Sequence, residues 1–77
     1  MACFVCGEDP VQVWGRDAGG KCADCPRCGR YDISQASLDK LKRWKLDGSM
    51  TLLWMKGERE RGADPVLIET HTAFWRL

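Results

Sequence analysis

The chain has 77 residues, with 12 Lys and Arg against 11 Asp and Glu, for a formal charge of +1. A chain this short forms one domain whose apolar core alone is marginal, and a charge this close to neutral excludes a globally basic nucleic-acid binder, leaving only a local basic surface. No run is long and apolar enough to span a membrane, and the first residues lack the basic start and apolar run of a signal peptide, so we expect a cytoplasmic protein without a membrane partner.

Two cysteines three apart, followed by glycine, open the sequence as Cys3-Phe4-Val5-Cys6-Gly7. Glu8-Asp9-Pro10 is turn-prone, and Val11-Gln12-Val13-Trp14 alternates apolar and polar residues as a strand does. Gly15 to Gly20 carries three glycines and an aspartate and predicts a hairpin turn. Lys21-Cys22-Ala23-Asp24 returns as a second strand into Cys25-Pro26-Arg27-Cys28-Gly29, a second cysteine pair with the same trailing glycine. Tyr31-Asp32-Ile33 leaves it as a short third strand, with Tyr31 and Ile33 on one face.

A Cys-x-x-Cys turn points both sulfurs to one side while backbone N–H groups fold towards the thiolates. The trailing glycine lets the chain leave through a conformation that a Cβ would penalise. Two such turns supply four thiolates at tetrahedral corners, the closed ligand set of a structural zinc site. Five cysteines offer a second set, because Cys3, Cys6, Cys22 and Cys25 also fit a four-cysteine spacing. We assign the metal to Cys3, Cys6, Cys25 and Cys28, since only the Cys25–Cys28 pair has the internal proline and the trailing glycine. Cys22 then reads as a small, half-buried strand residue, with a spare ligand or redox-active thiol as the alternative. The paired spacing reads as metal binding rather than a disulfide framework, which fits a reducing compartment. One structural zinc ion contributes about 10–16 kcal/mol of apparent binding free energy, enough to decide whether a chain of this size folds. A divalent ion on four thiolates subtracts two charges, taking +1 to about −1.

Beyond the second cysteine pair, Ser34 or Ser37 can N-cap a helix over residues 36–46, with Leu38, Leu41 and Trp44 on one stripe. Asp47-Gly48-Ser49 breaks it, and a second helix is expected over residues 50–61 with Ser49 as its N-cap. In that helix Met50, Leu53 and Trp54 make one apolar face, while Leu52 and Met55 point away from it. One small sheet cannot cover both, so the C-terminal segment or another chain should meet the far side. Gly62 to Pro65 is a loop, and Val66-Leu67-Ile68 is a short strand. From Glu69 the chain either makes a turn capped by Thr70 or continues the strand, with Phe74, Trp75 and Leu77 docked. The expected fold is a small α+β metal-stabilised domain, built as one structural unit. Residues 1–34 form a three-stranded zinc ribbon, and residues 35–77 add a helical extension with two short helices and a short C-terminal strand or turn.

Cys3-x-x-Cys6-Gly7 and Cys25-Pro26-x-Cys28-Gly29-x-Tyr31-x-Ile33 resemble the N-terminal zinc ribbon of small uncharacterised bacterial proteins, in which two such knuckles and a short hairpin precede helices. The likeness covers residues 3–34 and reaches the helical part through Trp54, Arg59-x-Arg61-Gly62 and Pro65. It implies zinc held by the four cysteines and no particular activity. The same knuckles resemble rubredoxin, whose iron sits on two glycine-trailed turns, which makes iron the alternative cofactor. Here the insert of residues 7–24 is shorter than in rubredoxin and lacks its acidic, aromatic core.

A closed four-thiolate zinc leaves no open position for water or substrate. His71 is the single histidine, and no recognisable motif sets a nucleophile or carboxylate beside it, so we expect no catalytic residue, no small-molecule substrate and no enzyme. Four tryptophans and the doubly apolar second helix point to a protein-interaction module that meets a partner, or a second copy, through its helical half. The alternative is nucleic-acid binding on a local basic surface. Between Val11 and Lys45 eight basic residues stand against four acidic ones, with Trp14, Arg16, Lys21, Arg27, Arg30 and Tyr31 as candidate contacts. A second alternative is rubredoxin-like electron transfer on iron.

Overall fold

The computed structural model describes residues 2–63 and 65–76. Three strands, β1 (Gln12–Gly15), β2 (Lys21–Cys25) and β3 (Gly29–Ile33), form an antiparallel meander. Its alternation sorts side chains onto two faces. Val13, Ala23 and Tyr31 share one row, and Trp14, Cys22 and Asp32 share the neighbouring row on the opposite face. Tyr31 and Ile33 both lie on the inner face, and both are fully buried.

A fourth strand, β5 (Val66–Ile68), joins this sheet parallel to β3, giving the order β1-β2-β3-β5. The sequence predicts the strand but not this partner. Parallel neighbours need a long crossover, and residues 34–65, with both helices, supply it. Val66 stands opposite Tyr31 and Ile68 opposite Ile33, so the inner face gains two more buried apolar side chains. Burying side chains of this size stabilises the fold by about 1.5–3 kcal/mol each.

The first helix, α1 (Gln35–Lys40), is N-capped by Ser34, whose hydroxyl accepts from the Ser37 N–H at 3.2 Å. The Ile68 carbonyl accepts from both the Ser34 N–H at 3.0 Å and the buried Ser37 hydroxyl at 3.2 Å, which joins the start of α1 to the end of β5. The helix stops at Lys40, short of the expected residue 46. The physical reason lies in the C-terminal segment. Lys45 and Leu46 form a strand, β4 (Lys45–Leu46), that pairs antiparallel with β6 (Trp75–Arg76), and this extended backbone is incompatible with a continuing helix. Leu38 and Leu41 still pack against the core, whereas Trp44 lies beyond the helix with the Lys40 ammonium 5.3 Å from its ring.

The second helix, α2 (Gly48–Glu60), starts two residues earlier than expected, and its N-cap is Asp47 rather than Ser49. The Asp47 carboxylate accepts from the Met50 N–H at 3.1 Å. Gly48 fits in the first turn because a Cβ there would lie 2.7 Å from the Val5 carbonyl oxygen. The buried face of α2 carries Thr51 and Met55, one turn apart. The Met50–Leu53 stripe faces solvent instead, with Leu53 71% exposed. The C-terminal segment does fold back on this half. The Asp47 N–H donates to the Phe74 carbonyl at 2.8 Å, and Phe74 lies beside Met50, Leu53 and Trp54. The turn before it is closed by Glu69 and Thr72, not by Thr70, whose carbonyl accepts from the Trp75 indole at 3.0 Å. The expected docking of Leu77 lies outside the described residues. No helix among the described residues is long and apolar enough to cross a membrane.

Candidate metal centre

The Sγ atoms of Cys3, Cys6, Cys25 and Cys28 all lie within 4.8 Å of one another. Cys3 Sγ is 3.7 Å from Cys28 Sγ, and Cys6 Sγ is 3.5 Å from Cys25 Sγ. A tetrahedron with zinc–sulfur bonds of about 2.3 Å has sulfur–sulfur edges of about 3.8 Å. The cluster therefore has the dimensions of a tetrathiolate site. Such a soft donor set suits one divalent zinc or iron ion.

Local backbone geometry produces it. In the first turn the Val5 N–H points at Cys3 Sγ at 3.4 Å, and the Gly7 N–H closes on the Cys3 carbonyl at 3.1 Å. In the second turn the Cys28 N–H points at Cys25 Sγ at 3.4 Å. Each chain exit is left-handed, at φ 79° for Gly7 and 82° for Gly29. Gly29 is constrained twice, because a Cβ there would also lie 2.9 Å from the guanidinium of Arg59. That guanidinium reaches across from α2 and donates to the Arg30 carbonyl at 2.9 Å.

Tyr31 completes the surroundings. Its phenolic oxygen accepts from the Phe4 N–H at 3.1 Å, which leaves its own proton for Cys3 Sγ, also at 3.1 Å. Burial, together with the Cys3 sulfur, pushes the phenol well above its ordinary range, so it remains a donor. Burial pushes the Cys3 thiol up as well. Hydrogen bonds from the Cys6 N–H, the Tyr31 hydroxyl and the Val5 N–H outweigh it and bring Cys3 down to about 7. Burial raises Cys6 and Cys28; at Cys28 the sulfurs of Cys6, Cys3 and Cys25 add to it, while at Cys6 the Glu8 N–H and Cys28 oppose it in part.

Cys22 stays outside the cluster, on the outer sheet face opposite Asp32. Burial and the Asp32 carboxylate raise its pKa, which keeps it a thiol. The six candidate nucleic-acid contacts do not form one surface. Tyr31 requires correction: it is fully buried with its hydroxyl on Cys3, so it offers no stacking face. The period-two alternation that pairs it with Ile33 was the signal for this. Trp14 is exposed on the outer face, with the Arg30 guanidinium 5.6 Å from its ring centre. Arg16 is paired with Asp32 at 3.5 Å, and Lys21 is half-buried at the start of β2. Arg27 stands apart, exposed on the second cysteine turn beside Lys56 and Arg59 of α2. Sequence reasoning missed those two, although Leu52, Lys56 and Arg59 follow a one-face helical spacing. His71 is exposed, with Nε2 3.3 Å from the Glu69 carboxylate.

Comparison with protein-family models, with curated proteins and with solved structures gives no match to this chain.

Proposed function

We propose that the chain is a non-enzymatic protein-interaction module whose fold is held by one structural zinc ion on Cys3, Cys6, Cys25 and Cys28. Zinc is favoured over iron because four thiolates are the usual closed ligand set of structural zinc, which serves as a charge-compensating cross-link. Four thiolate ligands leave the ion no open coordination position, which supports a structural rather than a catalytic role. The zinc then fixes the two cysteine turns on which α2 rests, through Gly48 against Val5 and Arg59 against Gly29.

One observation carries the interaction reading. Leu53 is 71% exposed in the middle of α2, flanked by the exposed Met50 and Phe74. A contiguous apolar patch of this kind marks a contact surface more often than a free one. The test is a photo-cross-linking amino acid at position 53, compared with one at the exposed Asp17 in the hairpin turn. Discrete protein adducts are expected from position 53 alone, and they should disappear when a chelator removes the metal. Adducts to nucleic acid instead, or none, would overturn the reading.

A further inference from the structure

A groove of about 290 Å3 runs between the second cysteine turn and α2, lined by Arg27, Leu52, Leu53, Lys56 and Arg59. It continues into a hollow of about 230 Å3 that shares Arg27 and Leu52 and adds Arg76. None of these four cations has a carboxylate partner among the described residues; the Arg and Lys ion pairs form elsewhere, at Arg16, Lys42 and Arg61. Among the described residues Asp47, which lines the hollow, is the one carboxylate of the two, and it is occupied as the cap of α2. A zinc tetrathiolate beneath would carry −2. With Asp47 that makes three negative charges against four positive ones, so the groove keeps a positive surplus.

We propose that the partner segment docking on this face of α2 is an acidic peptide with an apolar anchor. Its carboxylates meet Arg27, Lys56, Arg59 and Arg76, and a leucine-sized side chain rests on Leu52 and Leu53. The inference rests on the interaction reading above and adds the chemistry of the partner. Arginine forks match carboxylates two bonds at a time, and Arg59 is already held in place by the Arg30 carbonyl, which lowers the cost of ordering it. A single-stranded nucleic acid is the less suited anion, because no aromatic ring lines the groove among the described residues and such strands bind largely by stacking.

The experiment uses the full zinc-loaded chain and a fluorescent peptide of repeated glutamate-glutamate-leucine units, read by anisotropy at low and high salt. Binding is expected at low salt, and the double variant Arg27→Glu, Lys56→Glu should weaken it by about tenfold or more, since both charges are reversed at exposed positions. Zinc content and thermal unfolding should not change. A peptide with serine for leucine should bind about tenfold more weakly. The proposal is overturned if the reversal leaves peptide binding unchanged, if it lowers zinc retention alone, or if a single-stranded oligonucleotide displaces the peptide better than unlabelled peptide does. Cross-linking at position 53 in the charge-reversed chain separates the two readings. Adducts that persist undiminished keep the interaction module and sink the acidic partner, whereas no adducts in either chain sink both.

Discussion

The Tyr31 phenolic oxygen stands 3.1 Å from Cys3 Sγ and 3.1 Å from the Phe4 nitrogen, bridging β3 to both ends of the first dipeptide of the first cysteine turn. Tyr31→Phe keeps the ring in the core and leaves the Phe4 N–H without this buried partner. We expect a loss of about 1–3 kcal/mol in stability. Metal affinity should fall on the order of tenfold, as it does when a partner of a metal ligand is removed. Thermal unfolding and competition with a chromophoric chelator measure the two effects. An unchanged affinity would mean that the hydroxyl serves only the backbone.

Cysteine replacements separate ligands from bystanders. Cys28→Ser removes one corner of the sulfur cluster and should abolish stoichiometric metal and most of the cooperative fold. Cys22→Ser lies on the outer face and should retain one metal per chain, with stability changed by about 1 kcal/mol or less. Elemental analysis with circular dichroism decides between these outcomes. Metal lost from the Cys22 variant and kept by the Cys28 variant would reverse the ligand assignment.

Metal uptake should release protons, and its pH dependence follows from the thiols. Cys6 and Cys28 are raised above their ordinary 9.0, so near neutrality each carries a proton that the ion must displace. Cys3, lowered to about 7, is divided between thiol and thiolate there and gives up a fraction. The bound state therefore holds fewer protons than the free one, and affinity falls as pH falls. Roughly two or more protons per ion should appear in calorimetry repeated in buffers of different ionisation enthalpy. Release of less than one proton would show that the thiols are already ionised.

The cysteine turns were legible in the sequence because their geometry is local: two sulfurs three apart and a left-handed glycine need nothing from the rest of the chain. The meander was legible for the same reason, its hairpin glycines lying between two alternating runs. What escaped depends on distant partners. Lys45 and Leu46 read as the end of a helix, since nothing near them reveals that Trp75 and Arg76 will claim their backbone. Val66 to Ile68 read as a strand, but its parallel place beside β3 is fixed by the length of the crossover and by Ser34 and Ser37 binding the Ile68 carbonyl. In the candidate site the four cysteines were named correctly as neighbours, whereas the basic groove needed α2 laid across the second turn before Lys56 and Arg59 met Arg27.

Thr51 provides a test of packing that spares the metal. Its side chain is fully buried, and its hydroxyl has no hydrogen-bond partner among the described residues. Thr51→Val keeps the branched shape and removes the unsatisfied group, so we expect unchanged stability or a gain of about 1 kcal/mol. A clear loss in chemical denaturation would reveal an ordered water or a shifted partner on that hydroxyl.

The C-terminal segment supplies the last prediction. Deleting residues 74–77 removes β6, takes away the Phe74 carbonyl that accepts from the Asp47 N–H, and removes the Phe74 ring from beside Met50, Leu53 and Trp54. It also removes the Trp75 ring, which has the Lys40 ammonium 4.9 Å from its centre. Phe74 is exposed and Trp75 half-buried, so their combined contribution is below that of two fully buried aromatics, on the order of 2–3 kcal/mol. The Asp47 N–H adds the loss of a single hydrogen bond at the cap residue of α2. Truncated chain should therefore melt several degrees lower while keeping its metal, because none of the four cysteine ligands lies in the deleted segment. Tryptophan emission from Trp44 and Trp54 should shift to the red as their surroundings open to water. Equal melting temperatures and identical emission would mean that β4 and α2 stand without the C-terminal strand, and that the exposed Leu53 ridge owes nothing to Phe74.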